Sequence, residues 1–278
     1  AKQNHKKTEH SMGNAFFVVW RESLEAFLIA GILYAWLQGN DTSGKGKQAL
    51  FIGLAAGVGL ALLLGWALLT VQDELSGNAL EAFQIGTLLV AAGLITQMVL
   101  WMRKNGRQMK ARLHADLSAA AEKSGVVGVA VVAALAVARE GAETVIFLYG
   151  MAQSGDYSGL IGGALAGLAG AAATAWLAAK SLARLNIGLL LRLSSILLLV
   201  FASALLVAAI DRLIGAGWLT PMLDPVWDTS LLIDDSTKAG KLLADFSGYR
   251  ARPALTTLLA WAAYWIVVFI AWRRSGRG

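Results

Sequence analysis

The sequence predicts an all-α, polytopic membrane protein with seven transmembrane helices. Three observations carry that expectation. The chain is 57% hydrophobic and only 15% charged, a balance shifted well away from soluble domains. Its apolar residues gather into blocks of about 20, and at about 1.5 Å per residue each block can cross a hydrocarbon core of about 30 Å. None of the blocks has the ten-residue alternation of a barrel strand, so helices must satisfy the backbone in lipid.

In order, the blocks fall at 14–37, 48–71, 79–102, 128–151, 159–180, 187–211 and 254–272. The first opens GNAFFVVW and carries the charged stretch RESLE at 21–25. Gly53 and Gly57 in the second, like Gly163 and Gly167 in the fifth, have small-xxx-small spacing and predict close helix packing. The fourth carries REGAE at 139–143. Between the blocks, 103–127 reads as a basic loop and 212–253 is the only long extramembrane segment. Trp227, Leu231, Leu232, Leu242, Leu243 and Phe246 predict short helices there, lying on the outer surface as a lid, a docking face or a simple cover. The expected organisation is a tail at 1–13, a three-helix unit at 14–102, the basic loop at 103–127, a second three-helix unit at 128–211, the outer segment at 212–253, and a seventh helix with a short tail at 254–278.

Orientation follows from the basic residues. WMRKNGRQMKARL, at 101–113, places five of them directly after the third block. The connections on that side are the richer in Lys and Arg, so the positive-inside rule puts the N-terminus outside and the C-terminus in the cytoplasm. Lys2, Lys6 and Lys7 run against this, in a tail whose residues before Met12 read as an appended sequence. The pI near 9.7 therefore reflects cytoplasmic loops rather than nucleic-acid binding. Acidic residues collect on the opposite side, and Asp73, Glu74 and Glu81 are candidates for an accessory or entrance site that concentrates cations.

RESLE and REGAE put Arg21, Glu22 and Glu25, and Arg139, Glu140 and Glu143, in the same register. Positions i, i+1 and i+4 of a helix share an arc of about 100°, so each motif offers one guanidinium and two carboxylates to one side. An i,i+4 salt bridge within each motif leaves Glu22 and Glu140 over. Buried ionisable groups in a span mark substrate or ion pathways. The chain has no cysteine, and His5, His10 and His114 lie outside the expected spans. Met98 and Met102 read as packing or interfacial residues. Oxygen donors alone fit a hard cation such as ferric iron, Mn²⁺, Mg²⁺ or Ca²⁺, or protons. An acid–base enzyme is disfavoured, because no nucleophile or histidine lies near the glutamates.

Two R-E-x-x-E motifs, in the first and fourth of seven helices, resemble the iron permease family of oxidase-coupled high-affinity iron uptake. EAFQIG at 81–86, WMRK at 101–104, RLNIG at 184–188, and the segment from WDTS at 227 through Gly248 and Tyr249 to Pro253 extend the likeness along most of the chain. The resemblance implies import of ferric iron supplied by an extracytoplasmic oxidase or delivery protein. It gives Glu22, Glu25, Glu140 and Glu143 the iron-handling role and Arg21 and Arg139 supporting electrostatics, with iron as cargo and no resident cofactor. It also implies a bacterial plasma membrane. Where bacterial members often carry a second glutamate, this chain has Gln84. A permease for another cation, such as Mn²⁺ or Pb²⁺, is the alternative.

Arg21 and Arg139 are 118 residues apart with three spans between them. Helices 1–3 and 4–6 are therefore expected as inverted repeats that place a substrate site near the bilayer midplane, with the seventh helix outside the repeat.

Overall fold

The computed structural model describes residues 2–40, 44–105, 108–152, 157–180, 187–235 and 237–275. It contains α1 (Lys2–Asn40), α2 (Lys45–Glu74), α3 (Gly77–Asn105), α4 (Met109–Ala152), α5 (Tyr157–Ala179), α6 (Ile187–Gly215), α7 (Lys238–Ser247) and α8 (Leu255–Ser275). No strand occurs among the described residues. All of these helices except the short α7 and the charged α1 are long and apolar enough to cross a membrane, which makes six. At 39 residues α1 has the length, but Arg21, Glu22 and Glu25 fall inside its apolar run.

Helix boundaries differ most from expectation in the basic segment, where α4 begins at Met109. Its first turns form a helical arm that ends at Gly125, whose φ of 56° and ψ of −132° break the helix. A positive φ of this kind suits a residue without a Cβ. The arm then folds back on α4 so closely that a Cβ on Gly128 would stand 2.1 Å from the Ala120 carbonyl oxygen. Leu113, Leu117 and Ala121 line its inner face, and Leu117 is fully buried against the ends of α1 and α2.

The long helices pair across the chain rather than along it. α1 packs chiefly against α5, and α2 against α4. The small-residue pairs sit in these two seams. A Cβ on Gly53 would lie 2.3 Å from the Ala130 carbonyl oxygen, and one on Gly163 would lie 2.2 Å from that of Met12. Gly57 faces Ala134 and Val137 in the same way, and Gly167 faces Phe16 and Trp20. The close approach predicted by the spacing is present in both seams.

Two apolar clusters fill the interior. One gathers Ala15 and Val18 of α1, Ile85 to Val99 of α3, Phe147 and Met151 of α4, and Leu198 to Ala209 of α6. The other gathers Ile29, Leu33 and Leu37 of α1, Ala49 and Leu50 of α2, and Leu117, Val129 and Ala133 of α4. On both motif helices the charged residues fall between the two clusters, after Val18 and before Ile29 on α1, and after Ala133 and before Phe147 on α4.

Among the described residues, the segment between α6 and α8 has one helix, α7, capped by the Thr237 hydroxyl, which accepts from the Gly240 N–H, and closed by Gly248 at φ 77°. Val226 and Thr229 donate backbone hydrogen bonds to the carbonyls of Pro253 and Ala251, each 2.9 Å. Of the residues expected to lie on the surface here, Phe246 is half-buried, whereas Trp227, Leu231, Leu232 and Leu243 are exposed. The Leu242 side chain lies outside the described residues.

Candidate metal centre

Arg21 is 0% exposed in the middle of α1. Its Nη1 donates to Glu22 Oε1 at 2.8 Å. Its Nη2 lies 2.8 Å from Glu25 Oε1, an ion pair without the alignment of a hydrogen bond. The same two nitrogens donate to Met98 Sδ and Met102 Sδ on α3, each at 3.0 Å. On α4, Arg139 Nε donates to Glu143 Oε1 at 3.1 Å and stands 3.8 Å from Glu140 Oε1. The Arg139 side chain is 48% exposed, with its guanidinium 4.9 Å from the centre of the Trp101 ring.

The two motifs meet. One carboxylate oxygen each from Glu22, Glu140 and Glu143 lies within 4.8 Å of the others. Glu25 is buried beside this group, turned to Arg21. Glu22 Oε2, Glu140 Oε2 and Glu143 Oε2 are buried and accept no hydrogen bond from the protein. An ionised carboxylate can only accept, and burying one unsatisfied is costly. Carboxylate oxygens from two helices within 4.8 Å of one another, with one unsatisfied oxygen on each of the three carboxylates, are a group that could hold a hard cation. With every group ionised, four carboxylates against two guanidinium groups give the centre a charge of about −2.

A cavity of about 190 Å³ lies on the N-terminal side of the centre, lined by Asn14, Leu88, Met151, Arg212, Asp245 and Arg250 among others. Val18 and Phe147 stand one helical turn from the motifs toward it, both buried in the apolar cluster between cavity and glutamates. Asp73 and Glu74 are exposed at the end of α2 and Glu81 is half-buried near the start of α3. The glutamate group does not include them. Gln84 accepts a 2.6 Å hydrogen bond from Arg212 Nη1, and Tyr149 donates its hydroxyl hydrogen to Gln72. Met98 and Met102, which contact Arg21, and Trp101, which faces Arg139, are not expected from the sequence to take part in the site: it marks the methionines as packing or interfacial and Trp101 only as part of the WMRK likeness. Their spacing of i, i+3 and i+4 places them on one face of α3 and is the signal that could have found them.

The molecule is a bundle of apolar helices, six of them long and apolar enough to cross a membrane, that brings carboxylates of a repeated motif together in its interior. The chain belongs to the iron permease FTR1 family, whose family model matches residues 12–273. It is 30% identical to the ferrous iron permease EfeU of Escherichia coli O6:K15:H31 over 260 residues, covering 92% of this chain and 93% of the relative. The EfeU of Shigella sonnei matches to the same extent. That of Yersinia pestis is 33% identical over 135 residues, 48% of each chain. No solved structure matches.

Proposed function

We propose that the protein imports iron through one intramembrane site built from both R-E-x-x-E motifs. The observation that carries this reading is the meeting of Glu22, Glu140 and Glu143 within 4.8 Å, with Glu25 alongside. Arg21 and Arg139 trim the charge and hold the carboxylates in place. In this reading α1 is a seventh span. Its place between two apolar clusters and its long seam with α5 support it, and its charges face inward, where a polar side chain in a bilayer belongs.

The pairing of helices supports inverted repeats. Exchanging α1 with α4 and α2 with α5 maps the α1–α5 seam onto the α2–α4 seam. Three spans per half reverse the second half relative to the first. The basic residues after α3 support an N-terminus outside and a C-terminus on the cytoplasmic side of the plasma membrane.

The family resemblance implies ferric iron passed on by an oxidase, whereas the relatives are named for ferrous iron. A site charge of about −2 balances Fe²⁺ and leaves Fe³⁺ with an uncompensated charge, so the charge count favours the ferrous form at the site itself. Purified protein in liposomes tests both parts. Glu22→Gln and Glu140→Gln keep shape and lose anionic character, and each is expected to abolish iron uptake while insertion persists. Robust uptake by both variants would sink the assignment. Supplying Fe²⁺ under anaerobic conditions, or Fe³⁺ with a chelator, decides the valence, and a competing panel of Mn²⁺ and Pb²⁺ decides the metal.

A further inference from the structure

We infer that the last two turns of α3, through Met98, Trp101 and Met102, position both motif arginines with uncharged partners and so leave the glutamate charge to the cargo ion. The inference rests on the iron-site reading above and adds residues to it that lie outside both motifs.

Arg21 is sealed from solvent, so its N–H groups can find partners only inside the protein; Nη1 and Nη2 have them, whereas Nε donates to nothing among the described residues. Two of those partners are thioether sulfurs, each 3.0 Å from a guanidinium nitrogen. A thioether is a weak, polarizable acceptor without charge. A carboxylate on α3 in the same place would draw the guanidinium away from Glu22 and Glu25. An aliphatic side chain there would free two buried N–H groups, and the nearest unsatisfied acceptors are the free oxygens of the motif glutamates. Arg21 would then compete with the ion for those oxygens. The sulfurs hold it at Glu22 Oε1 and Glu25 Oε1 and leave Glu22 Oε2 without a protein donor.

Arg139 is held on the same principle by a different group. Its carboxylate contacts are Glu143 at 3.1 Å and Glu140 at 3.8 Å, and the Trp101 ring faces its guanidinium at 4.9 Å. A ring face attracts a cation without neutralising it. Residues 98, 101 and 102 share one face of α3, so a single helix end positions the arginine of each motif, and the two halves of the site are registered against a common surface.

The test is an anaerobic titration of the full chain in lipid nanodiscs with Fe²⁺ alone. Met98→Leu with Met102→Leu keeps volume, removes both acceptors and is expected to weaken binding about tenfold, the loss of two hydrogen bonds at the weak end of the usual range. Met98→Gln with Met102→Gln supplies neutral acceptors and is expected to return affinity to within about threefold of the parent. Trp101→Phe keeps a ring face and should bind like the parent, whereas Trp101→Leu should bind about threefold more weakly. In an Arg21→Met background the leucine pair should cause no further loss, because it acts only through Arg21. A leucine pair that binds like the parent overturns the proposal. A glutamine pair as weak as the leucine pair also overturns it, since the sulfurs would then be direct ligands or packing groups. An undiminished loss in the Arg21→Met background does the same, and the glutamine comparison stands even if that background fails to fold. Glu140→Gln separates the two levels. If it binds Fe²⁺ like the parent, the iron site itself is wrong. If it is silent while the leucine pair is normal, only the role of α3 fails.

Discussion

Gly57→Ala should damage iron binding, although the residue touches no glutamate. The added Cβ would lie 2.7 Å from the Ala134 carbonyl oxygen and 2.8 Å from Val137 Cβ. Carbon atoms in contact sit at roughly 3.5–4.0 Å, so α2 and α4 must part by about 1 Å. One turn further along α4 the seam is equally tight, since a Cβ on Gly141 would meet Ala61 Cβ at 2.5 Å. Glu140 and Glu143 therefore move with α4 relative to Glu22 on α1. Overpacking of this kind costs about 1–3 kcal/mol of stability. Metal–ligand distances tolerate only about 0.2 Å, so a shift of about 1 Å removes a ligand and weakens iron binding by about tenfold or more. Gly59→Ala is the control. A Cβ there meets nothing within 4 Å, and the change should be neutral or gain up to about 1 kcal/mol of helix propensity. Thermal unfolding in detergent with and without Fe²⁺, together with iron titration, measures both effects. A Gly57→Ala protein that melts and binds like the parent would refute the link between seam and site.

Arg21→Lys should impair uptake less than Arg21→Ala yet remain below the parent, because an ammonium keeps the charge but cannot fork between Glu22, Glu25 and two sulfurs. Lysine indistinguishable from arginine in a transport assay would show that the fork is dispensable. Glu25→Ala and Glu143→Ala should be non-additive in an iron titration, the double variant binding no worse than the worse single one, whereas losses that add would point to two independent sites. Asp228 is held below the ordinary aspartate range by the Ser230 hydroxyl and backbone N–H and then by Arg252. A depressed carboxyl contributes stability above its unfolded pKa and loses it as pH falls through the folded one. Amide exchange at residues 228–230 should therefore accelerate only in acid below that range, and Asp228→Asn should remove the dependence. A reporter fused after Arg274 should read cytoplasmic, and a periplasmic signal would reverse the orientation.

The spans are legible in the sequence because bilayer thickness fixes how long an apolar run must be, and the two motifs are legible because charge in such a run is rare. The helical arm of α4 is not, since Lys110, Arg112, Asp116, Glu122 and Lys123 mask the stripe of Leu113, Leu117 and Ala121. The register of R-E-x-x-E shows that each motif faces one way. That both face the same point is a tertiary fact, set by seams between helices distant in the chain. Met98 and Met102 look like core residues by type and position, and only the guanidinium between them gives the sulfurs another use. For Asp73, Glu74 and Glu81 residue type and position decide as little. Acidic residues near helix ends are stable in water, so their presence alone says little about a ligand.

The cross-pairing of the long helices makes assembly a matter of timing. α1 has its main partner in α5, whose first residue, Tyr157, follows the end of α1 by more than a hundred positions. At about 5–20 residues per second, α1 waits on the order of ten seconds for that partner during synthesis. Throughout that interval its guanidinium already has carboxylates on its own helix, one and four residues away. The next help to arrive is α3 with its two sulfurs, well before the second motif. With α1 as the proposed seventh span, the order of charges along R-E-x-x-E lets the nascent helix carry the proposed binding groups into the bilayer without leaving its arginine alone there.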